Sequence, residues 1–166
     1  KQIFSFFYDN YADTYFAGKQ CLAIDSIRYA VERIRNKYRK ALYLCCLMYA
    51  MCKVQSTPGH FAQFMPKEHY RILPLREMDV WQEFLNKCDD FKTVVNNGRK
   101  NEIFKVDYKE LLINFEGEIA CYYVDPPYSG EQYSRFYHIL ETVVKYDRPR
   151  LQYKGLYRAD RFKSGD

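Results

Sequence analysis

Over the first 100 residues the hydrophobic positions recur with the period of an α-helix, so this part of the chain is predicted to be mainly helical. Helices are expected over residues 1–10, about 19–36, Ala41–Val54 and Val80–Val95. The second of these has an apolar stripe formed by Leu22, Ile27, Val31, Ile34 and Tyr38. The third is apolar almost throughout, which predicts that it is buried. Turn-forming residues at 56–60 and 96–98 interrupt the helical pattern.

The pattern changes after residue 100, where short apolar runs flank a helical segment. The first run, Ile103–Val106, predicts a strand that ends at Asp107, and a short helix is expected to follow through Leu112. The second run, Ile119–Val124, predicts a strand that ends at Asp125. Two strands joined through a helix imply a parallel pair, and their carboxyl ends lie at one edge of the sheet. We therefore predict an α/β region with both acids at that edge.

A further amphipathic helix is predicted over Gln132–Tyr146. Its apolar stripe is expected to pack into the core and consists of Tyr133, Phe136, Tyr137, Leu140 and Val144. The proline of Asp147-Arg148-Pro149 is expected to end the helix. The chain is thus predicted to have a mainly helical region over residues 1–100 and an α/β region over residues 101–166, with parallel strands near 101–107 and 118–125.

The most informative segment is Asp125-Pro126-Pro127-Tyr128, which follows the second predicted strand. Two prolines fix the backbone φ angle, so the acid and the aromatic ring are held in set directions. The carboxylate can accept hydrogen bonds from an exocyclic amine, and the ring offers a stacking face for a base. This combination favours a site that holds a flipped amino base for methylation. The tetrapeptide also fits a plain turn, since aspartate and proline both favour turns.

Methylation of an amino base needs hydrogen-bond acceptors because the lone pair of its nitrogen is delocalised into the ring. The Asp125 carboxylate and a backbone carbonyl of Pro126-Pro127 can accept both N–H hydrogens and so make the nitrogen more nucleophilic. Positioning and preorganised acceptors supply most of the rate, and no covalent protein intermediate is required. A base within a duplex reaches such a pocket only after it leaves the stack.

Four segments resemble the D12 class of adenine-specific DNA methyltransferases. They are EIACYYVDPPYSGEQYSRFYHILETVVKYDRP, YKGLYRADRF, YFAGKQCLAIDSIRYAVERI and VQSTPGHFAQF, within residues 11–163. The resemblance implies a partial Rossmann-like methyltransferase sheet, S-adenosylmethionine as methyl donor and a flipped adenine of double-stranded DNA as acceptor. It implies catalysis by Asp125, Pro126, Pro127 and Tyr128, and cofactor binding by Asp107, Asp125 and Pro126. The first position of the motif is Asp, which resembles the adenine-N6 pattern; Ser is usual for cytosine N4 and Asn for protein glutamine.

Several positions outside the motif have two interpretations. Asp107 resembles the acid that these enzymes place near the adenine of the cofactor, but it also fits the N-cap of the helix that follows. His60 lies in a loop that resembles one near the bound substrates, although a lone loop histidine is usually just solvated. Tyr133 and Ser134 begin the helix after the motif and are candidate DNA contacts.

One part of the family pattern is missing. The family begins with a glycine-rich turn after its first strand, whereas the seven glycines of this chain include no Gly-x-Gly sequence. The chain also begins at Lys1 rather than at a methionine. We therefore expect an internal, catalytic fragment of a longer methyltransferase that holds only part of the cofactor pocket. The alternative is an inactive nucleic-acid-binding remnant of the same fold.

Basic residues concentrate near the C-terminus. Residues 145–163 carry seven Lys and Arg against two Asp, an excess equal to the net charge of +5 of the whole chain. Aromatic residues are interleaved with these charges, as expected for a segment that lies along a phosphate backbone. Lys154, Arg158 and Arg161 are therefore predicted to bind DNA. A second basic run over residues 28–40 has helical spacing, which favours an ordinary solvated helix face.

Other classes of protein find little support. The six cysteines include no Cys-x-x-Cys pair and the three histidines are scattered, so no metal site is expected. The apolar run Ala41–Cys52 has 12 residues, too few for a membrane span. The expected location is a reducing, bacterial-type cytoplasm in association with the nucleoid. A restriction endonuclease is a candidate functional partner.

Overall fold

The structure is a computed structural model that describes residues 4–93, 97–125 and 132–161. Its helices are α1 (Phe6–Tyr11), α2 (Gly18–Glu32), α3 (Lys37–Val54), α4 (Ile72–Glu77), α5 (Val80–Asp90), α6 (Tyr108–Asn114) and α7 (Tyr133–Lys145). A single 3₁₀ turn covers Phe91–Thr93, and the described strands are β1 (Leu151–Gln152) and β2 (Tyr157–Arg158). The chain divides into unit 1, which comprises Lys1–Thr93 and Gln132–Asp166, and unit 2, which comprises Val94–Glu131.

Helices α2 and α3 pack together at the centre of unit 1. Their buried apolar side chains include Ile24, Ile27, Val31, Leu47 and Met51. The side chain of Asn36 accepts hydrogen bonds from the backbone N–H groups of Tyr38 and Arg39, at 3.1 and 3.0 Å. These bonds satisfy two of the donors that the start of α3 would otherwise leave unpaired. The helical prediction for this region is confirmed, with α3 beginning earlier than expected.

The stripe predicted for α2 is only partly correct. Ile27 and Val31 are buried, but Leu22 is 51% exposed and lies outside the core face of the helix. Tyr38 is 74% exposed because it belongs to a different helix, α3, which begins after an interruption of the chain at residues 33–36. The apolar residues keep a helical spacing from α2 into α3, so their pattern alone did not show that one helix ends at Glu32 and the next begins at Lys37.

A buried carboxylate ties α1 and the end of α7 to α2. Asp25 of α2 is 2% exposed and accepts hydrogen bonds from the N–H groups of Phe7 and Tyr8, at 3.1 and 3.0 Å. It also accepts a hydrogen bond from the hydroxyl of Tyr146. Burial raises the pKa of Asp25 because the charged form loses water, and the three hydrogen bonds oppose this shift. The first helix is thereby joined to residues near the C-terminus.

Helix α7 is present where it was predicted, but its core face was predicted only in part: Leu140 of the predicted stripe packs against the core. The buried residues are His138, Ile139, Thr142 and Val143, whereas Tyr137 is 55% and Val144 40% exposed. The guanidinium Nε of Arg28 donates to the carbonyl of Val143 at 2.8 Å, which binds α2 to the last turn of α7. The aromatic residues of the predicted stripe therefore lie at the edge of the core and reach the surface.

The basic C-terminal segment contains a hairpin that the sequence pattern did not predict. Strands β1 and β2 pair antiparallel, with Leu151 opposite Arg158 and Gln152 opposite Tyr157. Four residues, 153–156, form the turn between them. The N–H of Ala159 also donates to the carbonyl of Arg150 at 2.9 Å. Two residues per strand are too few to show a clear alternation of polar and apolar positions.

Unit 2 differs from the α/β prediction. The segments 101–107 and 118–125 contain no strand, so the predicted parallel pair is not formed in the described part of the chain. The short helix between them is present as α6. Every described residue from 97 to 125 is exposed except the half-buried Leu111. In the described residues the two apolar runs have no neighbouring strand. Without a neighbour, an extended segment has no partner for the backbone hydrogen bonds of a β-sheet.

Candidate active site

The first residue of the Asp-Pro-Pro-Tyr motif lies at the surface of unit 2. Asp125 is exposed and ends the irregular segment 118–125. Pro126, Pro127 and Tyr128 lie outside the described residues. An exposed carboxylate can accept hydrogen bonds from an incoming amine without first losing a protein partner. The catalytic role assigned to these four residues stays a prediction.

Asp107 caps the helix that follows it. Its side-chain oxygen Oδ1 accepts a hydrogen bond from the backbone N–H of Lys109 at 2.8 Å, and the residue is exposed. This is the N-cap geometry expected for aspartate before a helix. A carboxylate has acceptor capacity for more than one donor, so capping leaves room for a second hydrogen bond. The role in binding the cofactor stays a prediction.

The loop that carries His60 is fixed against the beginning of α7. The N–H of Phe61 donates to the carbonyl of Phe136 at 3.3 Å. The carbonyl of Phe61 accepts a hydrogen bond from the hydroxyl of Tyr15 at 2.9 Å, and Nε2 of His138 lies 2.9 Å from the same oxygen. Helix α7 and the segment after α1 therefore hold both backbone groups of Phe61, and the neighbouring His60 is held with it.

His138 is a structural histidine in this arrangement. Its side chain is fully buried, and burial lowers the pKa of the imidazole to about 4 because the charged ring would lose its water. The neutral ring has one hydrogen, which the short distance to the Phe61 carbonyl places on Nε2. Its Nδ1 has no hydrogen-bond partner among the described residues.

Four rings form an aromatic surface at the start of α7, which we define as His60, Tyr133, Phe136 and Tyr137. The ring centroids of His60 and Phe136 are 4.8 Å apart, and that of Tyr133 lies 5.5 Å from Phe136 and 6.4 Å from Tyr137. The first three residues are half-buried and Tyr137 is exposed. Ser134, in the same turn of α7, is half-buried. The aromatic surface begins two residues after the last residue of unit 2 in the chain.

The three basic residues predicted to bind DNA have different environments. Lys154 is exposed in the turn of the hairpin, whereas Arg158 is fully buried and Arg161 is 9% exposed. Two nitrogens of Arg158 donate to the two carboxylate oxygens of Asp147 at 2.7 Å each, and Arg158 also donates to Asp160 at 3.0 and 2.8 Å. These bonds lower the pKa of both carboxyl groups. The DNA-binding role of the two arginines stays a prediction, but the guanidinium of Arg158 is already paired with two carboxylates of the fold.

The sequence reasoning did not select Tyr153 as a site residue. This residue is 70% exposed, and the guanidinium carbon of Arg161 lies 5.6 Å from the centre of its ring. The alternation of aromatic and basic residues over 145–163 was the available signal, but without the hairpin it did not show which residues occupy the turn.

Other types of site find no support in the described residues. All six cysteines are free, and no group of His, Cys, Asp and Glu side chains in residues 4–93, 97–125 and 132–161 has the arrangement of a metal site. None of the helices seen in these ranges combines the length and the apolarity that a membrane span requires.

Comparison with known proteins found one matching family model and several named relatives. Residues 3–164 match the family model of the D12 class N6 adenine-specific DNA methyltransferase. Modification methylase LlaI of Lactococcus lactis subsp. lactis is 29% identical over 169 residues, which cover 96% of this chain and 26% of the relative. Type II methyltransferase M.FokI of Planomicrobium okeanokoites is 29% identical over 145 residues, or 82% of this chain and 20% of the relative.

Modification methylase StsI of Streptococcus sanguinis is 27% identical over 148 residues, which cover 86% of this chain and 20% of the relative. The chain thus spans about a quarter or less of the length of these three relatives. No solved structure matches it. Since the family model covers nearly all of its residues, the chain belongs to the D12 class N6 adenine-specific DNA methyltransferase family.

Proposed function

We propose that the protein containing this chain transfers a methyl group from S-adenosylmethionine to N6 of a flipped adenine in double-stranded DNA. The observation that carries this proposal is the family match over residues 3–164, which includes the complete Asp125-Pro126-Pro127-Tyr128 motif. The relatives are named modification methylases and type II methyltransferases. By the same reasoning, a restriction endonuclease that cuts the unmethylated site is the functional partner.

In this proposal Asp125 is the residue that makes the amine reactive. Its carboxylate accepts one N–H of the adenine amino group, and a carbonyl of Pro126-Pro127 accepts the other. The nitrogen lone pair is then directed at the methyl group that S-adenosylmethionine supplies. Tyr128 stacks on the flipped base and compensates part of the cost of unstacking it. The exposure of Asp125 in unit 2 supports its access to a base from outside the protein.

The chain fits part of a cofactor site. Asp107 has a carboxylate that is exposed and already oriented by its hydrogen bond to the N–H of Lys109, so it can accept from the amino group of the cofactor's adenine. Asp125 and Pro126 are the other proposed contacts. The seven glycines provide no Gly-x-Gly turn that would let the backbone approach the methionine part. That part of the pocket would come from residues outside this chain.

The aromatic surface of unit 1 supports a contact with DNA. Tyr133 presents part of a ring and Ser134 belongs to the same helical turn, which begins two residues along the chain from the end of unit 2. Aromatic rings provide stacking faces for unpaired bases, and hydroxyl groups bind phosphate. His60 shares this surface because its loop is fixed to α7.

The fold of unit 2 is proposed to be completed by strands outside this chain. The run Ile119–Val124 has the apolar, β-branched and aromatic composition of a parallel strand that is buried on both faces, and Ile103, Phe104 and Val106 form a shorter apolar run. Their exposed side chains include Ile103, at 98%, and Tyr123, at 90%. Further strands beside this pair of segments would cover this surface and form the Rossmann-like sheet that the family resemblance implies.

A second candidate is an inactive nucleic-acid-binding remnant of the family. The observation that favours it is the missing Gly-x-Gly sequence, because a protein without that turn would lack most of the cofactor site. Such a protein would bind DNA and transfer no methyl group. The two candidates therefore differ in one measurable property.

The proposed function is tested by methyl transfer from labelled S-adenosylmethionine to duplex DNA, using the complete protein. Wild-type protein is expected to label adenine, and Asp125→Ala is expected to lower turnover by about 10³-fold or more, since it removes the acceptor of the reacting amine. DNA affinity should change little. Glu116→Gln is a matched control because Glu116 is another exposed carboxylate of unit 2, and it should leave turnover unchanged.

Three results would contradict parts of the assignment. DNA binding by the wild-type protein without any methyl transfer supports the remnant. Retained turnover with loss of DNA affinity in Asp125→Ala removes the catalytic role of this residue. Equal losses in Asp125→Ala and Glu116→Gln indicate a general effect of negative charge in unit 2 rather than a specific acceptor.

A further inference from the structure

The turn of the C-terminal hairpin presents an aromatic ring and a cation side by side. Tyr153 is 70% exposed and Lys154 is also exposed, and both belong to the turn between β1 and β2. Tyr153 has a φ angle of 61°, in the left-handed region that a residue with a Cβ rarely occupies. The fold therefore maintains an unfavourable backbone conformation at this position, at a cost of about 1 kcal/mol.

The hairpin is held by contacts at its base and along its length. Arg158, in β2, is fully buried and bound to Asp147 and Asp160. The hydroxyl of Tyr15 donates to the carbonyl of Gly155 at 2.7 Å. The hydroxyl of Tyr157 donates to the carbonyl of Ala62. These bonds join the hairpin to Asp147 just after the end of α7, to the segment after α1 and to the loop after α3, so three other parts of unit 1 hold it.

The turn has little room for change next to Tyr153. A Cβ atom at Gly155 would lie 2.3 Å from Cζ of Tyr157, and the ring of Tyr157 is itself held by its hydrogen bond to Ala62. Glycine is therefore required at this position for steric reasons. The turn is therefore closely packed against the ring of Tyr157 at Gly155.

A second cation lies behind the exposed ring. The guanidinium carbon of Arg161 is 5.6 Å from the centre of the Tyr153 ring and 5.2 Å from that of Tyr157. Its charge is nine-tenths buried, and its NH1 donates to the carbonyl of Arg158 at 3.1 Å. This stacking orients Tyr153 and adds positive potential behind it. Arg150, which precedes β1, is exposed and adds a further cation to the hairpin.

From this arrangement we propose that the hairpin turn is a DNA-contacting element, in which Lys154 binds a backbone phosphate and the ring of Tyr153 packs on the adjoining nucleotide. The inference rests on the proposed function, since it takes duplex DNA as the occupant. Charge complementarity favours a polyanion, and the flat exposed ring favours one that carries bases or sugars. Because hydrogen bonds already hold the hairpin in place, less conformational entropy of the chain is lost when it binds DNA.

The structure also offers a comparison for an exposed tyrosine with a basic neighbour. Tyr38, on α3, is 74% exposed, and Nζ of Lys37 lies 5.1 Å from the centre of its ring. This pair lies in the basic run whose helical spacing predicted an ordinary solvated face. It matches the hairpin pair in residue types and exposure but lacks the left-handed backbone and the buried support.

The test measures binding of the complete protein to a fluorescent duplex of mixed sequence at several salt concentrations. Tyr153→Ala should raise the Kd about 10-fold, since one stacked ring is lost. Tyr153→Phe should restore binding to within about 2-fold, because the ring is kept. Lys154→Gln should reduce the slope of log Kd against log salt concentration by about 1, the value for one phosphate contact.

Tyr38→Ala and Lys37→Gln are the matched controls and should bind as the wild-type protein does. Thermal unfolding should be unchanged in all of these variants, because each replaced side chain is exposed. Equal affinities and salt slopes in the hairpin and control variants overturn the inference, and so does an affinity loss that appears only together with a lower melting temperature.

Failure of this inference is distinguishable from failure of the proposed function. If the wild-type protein binds and methylates DNA while the hairpin variants do the same, only the hairpin contact is overturned. If the wild-type protein neither binds nor methylates DNA, both the proposed function and the hairpin contact are contradicted. If the wild-type protein binds DNA through Tyr153 and Lys154 without methyl transfer, the hairpin contact stands and the catalytic proposal falls.

Discussion

The same type of residue has opposite environments in the two units of this chain. In unit 1, Ile24 of α2 and Ile139 of α7 are completely buried. In unit 2, Ile103 is 98% and Ile113 is 81% exposed. Ile24, Ile139 and Ile103 lie in segments that the sequence predicted to form regular structure, and Ile113 directly follows such a segment. The difference therefore lies in the partners that each segment finds and not in its own hydrophobicity.

Unit 1 has partners because distant parts of the chain meet there. The Asp25–Tyr146 hydrogen bond joins residues 121 positions apart, and the bond between Arg28 and the Val143 carbonyl spans 115 positions. The described residues of unit 2, 97–125, form one short helix and two apolar segments, which is too little to enclose a core. An apolar run predicts that a surface will be covered, and it becomes a strand only when a neighbour supplies the backbone hydrogen bonds.

The strongest test of this comparison replaces an exposed apolar residue of unit 2 with an acid. If strands outside this chain cover unit 2, Ile103→Asp should lower the free energy of unfolding of the complete protein by about 4 kcal/mol, since it puts a charge into a buried sheet. The measurement is urea unfolding of the complete protein. Leu73→Asp is the control in unit 1, because Leu73 is an apolar residue that is already 67% exposed.

The proposed sheet would be excluded if both substitutions changed stability by less than about 0.5 kcal/mol, the usual effect of a surface substitution. Equal large losses at both positions would instead show that Leu73 is also covered in the complete protein. Only a large loss confined to Ile103 supports the proposed completion of unit 2.

A second test examines the buried polar group that fixes the His60 loop in unit 1. Burial lowers the folded-state pKa of His138 to about 4, from about 6.5 in an unfolded chain. Between these values the unfolded state binds the additional proton. His138 therefore contributes stability that is complete above about pH 6.5 and is lost as the pH falls towards 4. The loss amounts to about 3 kcal/mol at most.

His138→Gln should remove this dependence, because glutamine does not titrate and its amide can still donate to the Phe61 carbonyl. The experiment compares the free energy of unfolding of the two proteins at several values between pH 7 and pH 4. The difference between wild type and variant should shift in favour of the variant as the pH falls. Parallel profiles would show that the histidine gains no proton on unfolding.

The helices were largely predictable because their apolar residues repeat with a period that local geometry imposes. The face that each helix buries against its neighbours was less predictable. In α7 the predicted stripe contained Tyr137 and Val144, whereas the core takes Ile139 and Val143 together with the polar His138 and Thr142. Thr142 can enter the core because its hydroxyl donates to the carbonyl of His138 in the same helix, and His138 because its Nε2 bonds the carbonyl of Phe61, 77 positions away. The second pairing depends on a distant residue and leaves no periodic signal in the sequence.

The candidate site was predicted unevenly for the same reason. The Asp125-Pro126-Pro127-Tyr128 motif is a local pattern and was found directly in the sequence. The environment of each basic residue in the C-terminal segment depends on long-range contacts. Arg158 and Lys154 look alike in sequence, but the first is buried against Asp147 and the second lies in an exposed turn. The hairpin separates them, and four strand residues gave no detectable period.

The smallest expected effect separates two roles of Asp107 in unit 2. As the N-cap of α6, Asp107 accepts the Lys109 N–H, so Asp107→Ala should lower the free energy of unfolding by about 1 kcal/mol. Asp107→Asn should retain the cap, because asparagine is an equally good N-cap residue. If the carboxylate also binds the amino group of the cofactor, Asp107→Asn should raise the KM for S-adenosylmethionine about 10-fold, since a charge-assisted hydrogen bond is replaced by a neutral one. A normal KM in the Asn variant with the expected stability loss in the Ala variant would leave Asp107 with the cap alone, and unit 2 would then contribute only the Asp125 motif to the chemistry.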